Sequence, residues 1–261
     1  EKTEEFKEGK KDEEVFSGLV SNFVGYEKKE AETRILALFA EGERIKEARE
    51  GERVTVVLEE TPFYPEKGGQ EGDRGFIIST QGRVRVEKVS APSAFVIIHG
   101  GVVEKGVIRE GEEVRAQIEA RRRKMMEIHH TVTHLLHRAL QETLGEQVRQ
   151  AGSWVGEEGL RFDFTNFAPL SPEEIKAVEA LVNEKIFEDL PVWITFSSLE
   201  EAQKRGVIAL FGEKYEEIVR IVRIGDYSAE LCGGTHLDHT AQALLFKITS
   251  ESSIGRGLRR I

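Results

Sequence analysis

Between Gly51 and Ala120 the chain runs to a period of two. The stretches "RVTVVLEE" and "GRVRVEKV" alternate apolar and polar residues, and "AFVIIHG" is a short β-branched apolar run. That period fits a half-buried strand and not a helix. Glycine and proline interrupt the runs at short intervals, so the strands are short and antiparallel. Few architectures satisfy this: a small barrel or sandwich, ending near "EEVRAQIEA". Within it, "TPFYPEKGGQEGDRG" carries Pro62, Pro65, Gly68 and Gly69, which forbid a regular element and predict a long, shaped loop.

The flanks have other patterns. Before Gly51, Phe16, Leu19, Phe23, Ile35, Leu36 and Leu38 have a loosely helical spacing, after a charged arm "EKTEEFKEGKKDEE" and around an irregular "GLVSNFVGYE". Residues 118–144 predict one strong helix, closed by Gly145. "VRQAGSWV" and "GLRFDF" follow as strands. A second helix then begins with Ser171 as N-cap, Pro172 in its first position and Glu174 completing a capping box; its apolar face is Ile175, Val178, Leu181, Val182 and Ile186. "VWITF", a short helical "SLEEAQKRG", and strands in "EIVRIVRIG", "SAELCGG" and "ALLFKITSE" complete the chain. The expected fold class is α+β. It comprises an N-terminal linker or helical segment over residues 1–50, a small antiparallel β-barrel over 51–117 carrying the glycine-rich loop, and a mixed α/β core over 118–261.

Net charge is -10, with an isoelectric point near 5.4, which argues against a general nucleic-acid coat protein. A nucleic-acid enzyme needs only a local basic patch. A single cysteine forbids an internal disulfide and points to a reducing, cytoplasmic setting. No apolar run approaches a membrane span, and no signal peptide is visible. The chain begins at Glu1, its only methionines are Met125 and Met126, and it stops after "SIGRGLRRI"; a piece of a larger protein is expected.

Four of the seven histidines fall in "EIHHTVTHLLHRAL". On a helical wheel His130, His134 and His137 lie within about 60° of one another, while Ile128, Val132, Leu135 and Ala139 occupy the other side. Imidazoles at i and i+4 can share one metal ion, although the spacing alone also suits surface or hydrogen-bonded core histidines. The stretch "LCGGTHLDH" supplies a partner pair, Cys232 and His236, across Gly233 and Gly234, whose freedom at positive φ allows a tight turn. His130, His134, Cys232 and His236 together form a nitrogen–sulfur set suited to Zn²⁺. His129 points off the stripe and is expected to be structural. His137 is either a support for the ligands or a surface residue, and His239 is a weaker competitor of His236. Arg121, Arg122, Arg123 and Lys124 crowd an early helical turn, where the macrodipole disfavours cations; phosphates of a nucleic acid would offset that cost, as would plain solvation. Arg256, Arg259 and Arg260 form a second candidate basic patch.

Several separated motifs, "HHTVTHLLHRALQETLGEQVRQAGSWV" with "LRFDF", "ALFGEKY" and "ELCGGTH", resemble the editing domain of alanyl-tRNA synthetases. Free-standing alanyl-tRNA editing proteins share that module, and the threonyl-tRNA synthetase editing domain is a more distant relative. "TPFYPEKGGQEGDRG" is similar to the glycine motif of the adjoining barrel. "FVGYEKKEAETRILAL" is similar to the segment joining the aminoacylation and editing halves. The resemblance covers residues 15 to the end. It implies hydrolysis of the ester in mischarged Ser-tRNA(Ala) and Gly-tRNA(Ala), with the acceptor end of tRNA(Ala) as partner. It implies zinc on His130, His134, Cys232 and His236, and Thr133 and Gln150 in the pocket sorting serine from alanine. The aminoacylation domain and the C-terminal domain of such a class II ligase have no counterpart in these motifs.

The chemistry suits that task. A pocket made for alanine rejects glycine and serine weakly, and a second, hydrolytic site is the remedy. Four protein ligands make a closed metal site, which favours zinc as an organiser of substrate and water. Arg161, Asp163, Asp226 and Glu230 are candidates to stand behind the ligands or to meet the tRNA end, with ordinary ion pairing as the alternative. Gly68 and Gly69 offer bare backbone to the acceptor end. A zinc-stabilised tRNA-binding module without chemistry competes with the deacylase. A metallopeptidase does not, because "HHTVTH" lacks the glutamate that a His-Glu-x-x-His site uses as base.

Overall fold

In the computed structural model, which describes residues 15–208 and 217–261, the period-two stretches become a closed six-stranded barrel. Its strands are β1 (Glu30–Ala40), β2 (Arg53–Leu58), β3 (Gly75–Ile78), β4 (Gly82–Ser93), β5 (Val96–Arg109) and β6 (Glu113–Ile118). The order is β6–β3–β4–β5–β2–β1, and β1 pairs back onto β6, with Ala31 opposite Ala116. All six pairings are antiparallel. Closure removes the exposed sheet edges that would otherwise invite further pairing. Ile35, Leu38, Val56, Leu58, Ile77, Val84, Val86 and Val103 fill the interior. His99 is fully buried there; its Nδ1 donates to the Val56 carbonyl at 2.9 Å, and its Nε2 accepts from the Thr61 hydroxyl at 2.7 Å.

Residues 30–40 correct the helical expectation for the N-terminal segment. Glu30, Glu32 and Arg34 face outward while Ala31, Thr33 and Ile35 turn inward. Beyond Ile35 the strand is covered on both faces, since Ala37 and Phe39 pack with Phe16, Val57 and Val96 while Leu38 enters the barrel. A strand buried on both faces loses its alternation, and the remaining apolar run imitates a helix.

Two compact units divide the chain. The first includes the barrel and Glu71–Arg123; the second takes Gly68–Gln70 and everything described from Lys124 to Ile261. Helix α1 (Ala120–Leu144) ends at Gly145, at φ +110°, whose N–H donates to the Gln141 carbonyl at 2.8 Å. Helix α2 (Pro172–Phe187) has the expected capping box between Ser171 and Glu174. Its Val178, Val182 and Ile186 pack with Val132, Leu135, Leu136, Ala139 and Leu140 of α1 and with Phe162 and Phe164. Strands β7 (Gln150–Val155), β8 (Leu160–Thr165), β12 (Ser252–Gly255) and β13 (Leu258–Arg260) form a sheet in the order β7–β8–β13–β12. A second sheet, β9 (Val192–Ser198), β10 (Ile218–Ile224) and β11 (Ser228–Leu231), carries the short helix α3 (Leu199–Lys204). No helix among the described residues is long and apolar enough to cross a membrane.

The stretch "ALLFKITSE" is not a strand. Leu244 takes φ +66°, and the extended residues after it bond to side chains of α2: the Phe246 N–H donates to Asn183 Oδ1 and the Ile248 N–H to Glu179 Oε1, each at 2.8 Å. Its alternation is real, with Phe246 and Ile248 buried, but the surface beneath it is a helix. The arm over residues 1–14 and the motif "ALFGEKY" lie outside the described residues.

Candidate metal centre

The middle of α1 is buried on both sides. Leu135, Leu136 and Ala139 enter the core, and the imidazole stripe is buried too, against the turn that follows β11. That turn brings Cys232 and His236 to His130 and His134. One donor atom from each of the four lies within 4.8 Å of the others, an arrangement able to hold one metal ion. Cys232 Sγ is 3.3 Å from both His130 Nε2 and His236 Nε2. The His130 and His236 rings are 4.4 Å apart, and those of His134 and His236 4.9 Å.

His130 and His236 are hydrogen-bonded from behind through Nδ1, and His134 has Glu230 nearby. His130 Nδ1 lies 2.8 Å from Gln70 Oε1. That amide oxygen also accepts the Thr235 N–H at 3.0 Å, which fixes which end of the amide is oxygen. His130 Nδ1 therefore carries the proton, and its Nε2 lone pair faces the thiol. His134 Nδ1 is 3.5 Å from Glu230 Oε2, again an acceptor. His236 Nδ1 is 3.2 Å from Thr131 Oγ1, which also accepts the Leu237 N–H at 3.1 Å. A neutral imidazole fixed in one tautomer by an oxygen acceptor, as His130 is by Gln70, is what a metal ligand needs.

Burial first, then the neighbouring imidazoles and Arg220, holds His130 and His236 well below the usual histidine range. His134 is lowered by burial against the opposing pull of Glu230. For Glu230, burial pushes upward, but His134 and His137 more than offset it, and the carboxyl lies below its ordinary value. Three neutral nitrogens and a thiol, all turned inward, fit a borderline-soft divalent ion.

Gly233 and Gly234 correct the reason given for them. Neither takes a positive φ. Gly234 is required by close approach, since a Cβ there would sit 2.0 Å from His130 Cε1. Arg220 on β10 anchors the turn by donating from Nη1 to the Cys232 carbonyl at 2.7 Å and the Gly234 carbonyl at 3.0 Å.

The remaining candidates divide. Glu230 is behind the cluster, and His137 is buried beside it, with Nδ1 3.1 Å from Glu230 Oε1. His129 binds the Gly156 carbonyl at 2.8 Å, and His239 is exposed beside Asp189. Asp163 is held by Arg260 at 2.7 and 2.8 Å, with Arg161 at 3.7 Å, so this trio forms the ion-pair alternative. Asp226 is exposed in the turn between β10 and β11. Thr133 is buried on α1 and donates to the His129 carbonyl at 2.8 Å. Gln150 opens β7, its Nε2 donating to Ser153 Oγ at 3.1 Å.

The basic run splits as well. Arg122 pairs with Glu71, and Arg123, 1% exposed, is enclosed by Asp73 and the carbonyls of Gly25 and Pro62. Both guanidinium groups are thus engaged by acidic residues of the loop before β3. Arg121 is exposed, and Lys124 binds Gln242 at 2.7 Å. In the C-terminal patch Arg259 is paired with Glu251, Arg260 with Asp163, and Arg256 is exposed. Gly68 and Gly69 take φ +61° and +81°; Gly68 faces open space and Gly69 lies against Ser153. Sequence reasoning missed Gln70 and Arg220. Neither has a spacing signal, since the partners of Gln70 lie 60 and 165 positions away and those of Arg220 are backbone carbonyls.

Over residues 1–122 the chain matches the family described as tRNA synthetases class II (A), and over residues 219–261 the one described as threonyl and alanyl tRNA synthetase second additional domain. It is 49% identical over 241 residues to the alanine–tRNA ligase of Bacillus subtilis and 50% over 241 residues to that of Acetivibrio thermocellus. The corresponding ligase of Geobacillus kaustophilus is 45% identical over 241 residues. Each alignment takes in 92% of this chain and 27% of the relative, so the chain spans about a quarter of the length of these relatives.

Proposed function

The chain belongs to the family of the alanine–tRNA ligases, and from that premise we propose that it hydrolyses the ester of mischarged Ser-tRNA(Ala) and Gly-tRNA(Ala). The observation that carries this is the four-donor cluster, in which the buried His130 and His134 flank Thr133 on α1. His130, His134, Cys232 and His236 would hold Zn²⁺. When bound, the ion supplies positive charge and ties the ligand helix to the ligand turn.

The rest falls to the chain. The Thr133 hydroxyl gives its proton to the His129 carbonyl, which leaves its oxygen lone pairs to accept from the hydroxyl of a serine. Gln150 presents an amide from the start of β7. The reaction adds water oxygen to the ester carbonyl carbon and breaks the bond to the ribose oxygen, which takes up a proton; free amino acid and tRNA(Ala) result. An aminoacyl ester is labile enough for positioning to supply most of the acceleration. Arg121, Lys124, Gly68 and Gly69 would meet the acceptor end. In a full-length ligase the aminoacylation and C-terminal domains would be further partners of this chain.

A second reading, a zinc-stabilised tRNA-binding module without chemistry, draws on one observation: all four donors converge, and four protein ligands make a closed site. Incubating the purified chain with Ser-tRNA(Ala) separates the two. The deacylase releases serine well above the spontaneous rate; the module binds the tRNA and leaves the ester intact.

A further inference from the structure

We propose that Gln70 is a positioning residue of the metal centre, tying the ligand helix and the ligand turn together through one buried amide. Its side chain is fully buried and both ends are engaged. Oε1 accepts from His130 Nδ1 at 2.8 Å and from the Thr235 N–H at 3.0 Å, while Nε2 donates to Thr235 Oγ1 at 2.9 Å. One amide thus fixes the tautomer of a ligand on α1 and the backbone between the two ligands of the turn.

The backbone of this residue is fixed as well. The Gly69 carbonyl accepts the Val155 N–H at 2.8 Å, and Gln70 bridges Val155 in parallel register. Gly69 is at φ +81°, where a Cβ would meet Ser153 Oγ at 2.6 Å, so only glycine lets the tripeptide lie flat on β7. The glycine pair therefore serves to deliver the glutamine. A ring nitrogen bound to a fixed acceptor sets the orientation and basicity of the opposite nitrogen, and loss of such a partner typically weakens metal binding about 10–100-fold.

This rests on the cluster holding a metal, and the experiment separates the two claims. The full chain and its Gln70→Leu and Gln70→Glu variants are titrated with Zn²⁺ against a chromophoric chelator. They are then loaded with Co²⁺ for visible spectra, and each metal-free form is melted. Gln70→Leu should bind Zn²⁺ about 10–100-fold more weakly and shift the cobalt bands. Gln70→Glu keeps the acceptor facing His130 Nδ1 and should stay within about threefold of the parent. Where Gln70→Leu does not fold, Thr235→Val serves: it removes the Gln70 Nε2 anchor and should weaken Zn²⁺ by several-fold. A purely structural glutamine would lower the melting point of Gln70→Leu and leave Zn²⁺ affinity and the cobalt bands unmoved, which overturns the proposal. A parent chain that takes up neither ion removes the metal reading itself.

Discussion

Substituting alanine at Gly234 tests the geometry of the cluster with a single methyl group. An ideal Cβ there sits 2.0 Å from His130 Cε1, 2.3 Å from His130 Nδ1 and 2.9 Å from Gln70 Oε1. Ordinary contact begins near 3.4 Å, so the His130 ring or the turn has to retreat by about 1.4 Å. Metal–ligand distances tolerate only about 0.2 Å. His130 then cannot keep both its bond to Gln70 and a place within reach of a shared ion. Losing one of four ligands together with its support should weaken Zn²⁺ binding by at least about 100-fold, or about 2.7 kcal/mol. Gly233 is the internal control: nothing lies within 4 Å of a Cβ placed there, and its φ is not positive. Chelator competition on both variants reads the effect. Gly234→Ala within threefold of the parent, or Gly233→Ala equally damaging, refutes the close-approach reasoning.

Thr133→Val loses the oxygen that would accept a serine hydroxyl, and the ratio of Ser-tRNA to Ala-tRNA hydrolysis should fall about tenfold; parallel deacylation time courses measure it. Arg123→Met strands the Asp73 carboxylate in the barrel and should cost about 3–5 kcal/mol of stability in urea unfolding, with no change in the salt dependence of tRNA binding. His99 is pushed down to about 4 by burial, so the unfolded chain takes up its proton first. Its contribution is complete above pH 6.5 and is lost as pH falls towards 4, about 3 kcal/mol in all. Urea midpoints of the parent and His99→Gln across that range should converge as the solution is acidified.

The elements that were legible in the sequence carry their pattern in neighbouring residues. The period-two strands, the capping box at Ser171 and the two pairs, histidine–histidine and cysteine–histidine, are all local, and the structure forms the first two and brings the pairs into one cluster. Where pattern and structure differ, burial falls on an unexpected side. β1 looked helical because Phe16 and Val96 cover its outer face, and "ALLFKITSE" looked like a strand because α2 covers its inner one. The same holds for charge. The run at Arg121 to Lys124 is uniform in sequence, but Glu71 and Asp73, in the loop before β3, pair with two of its members. Gln70 could not be found this way at all, since it meets Thr235 across 165 positions.

The four histidines of α1 show where local pattern ends. Three of them have Nδ1 hydrogen-bonded to oxygen, the Gly156 carbonyl for His129, Gln70 for His130 and Glu230 for His137, while His134 Nδ1 lies 3.5 Å from Glu230 Oε2 without a hydrogen bond. Support from behind therefore does not distinguish a ligand from a structural histidine. The opposite nitrogen does. His130 Nε2 faces the Cys232 thiol at 3.3 Å, and His134 has a donor atom in the same cluster. His137 Nε2 instead meets Gln141 Nε2 at 3.5 Å, on the next turn of the helix, and so accepts an amide proton. His137 and Glu230 thus form a buried prop beneath His134, one helical turn from the donors. Wheel position groups His137 with the ligands, and the amide of Gln141 takes it out of that set.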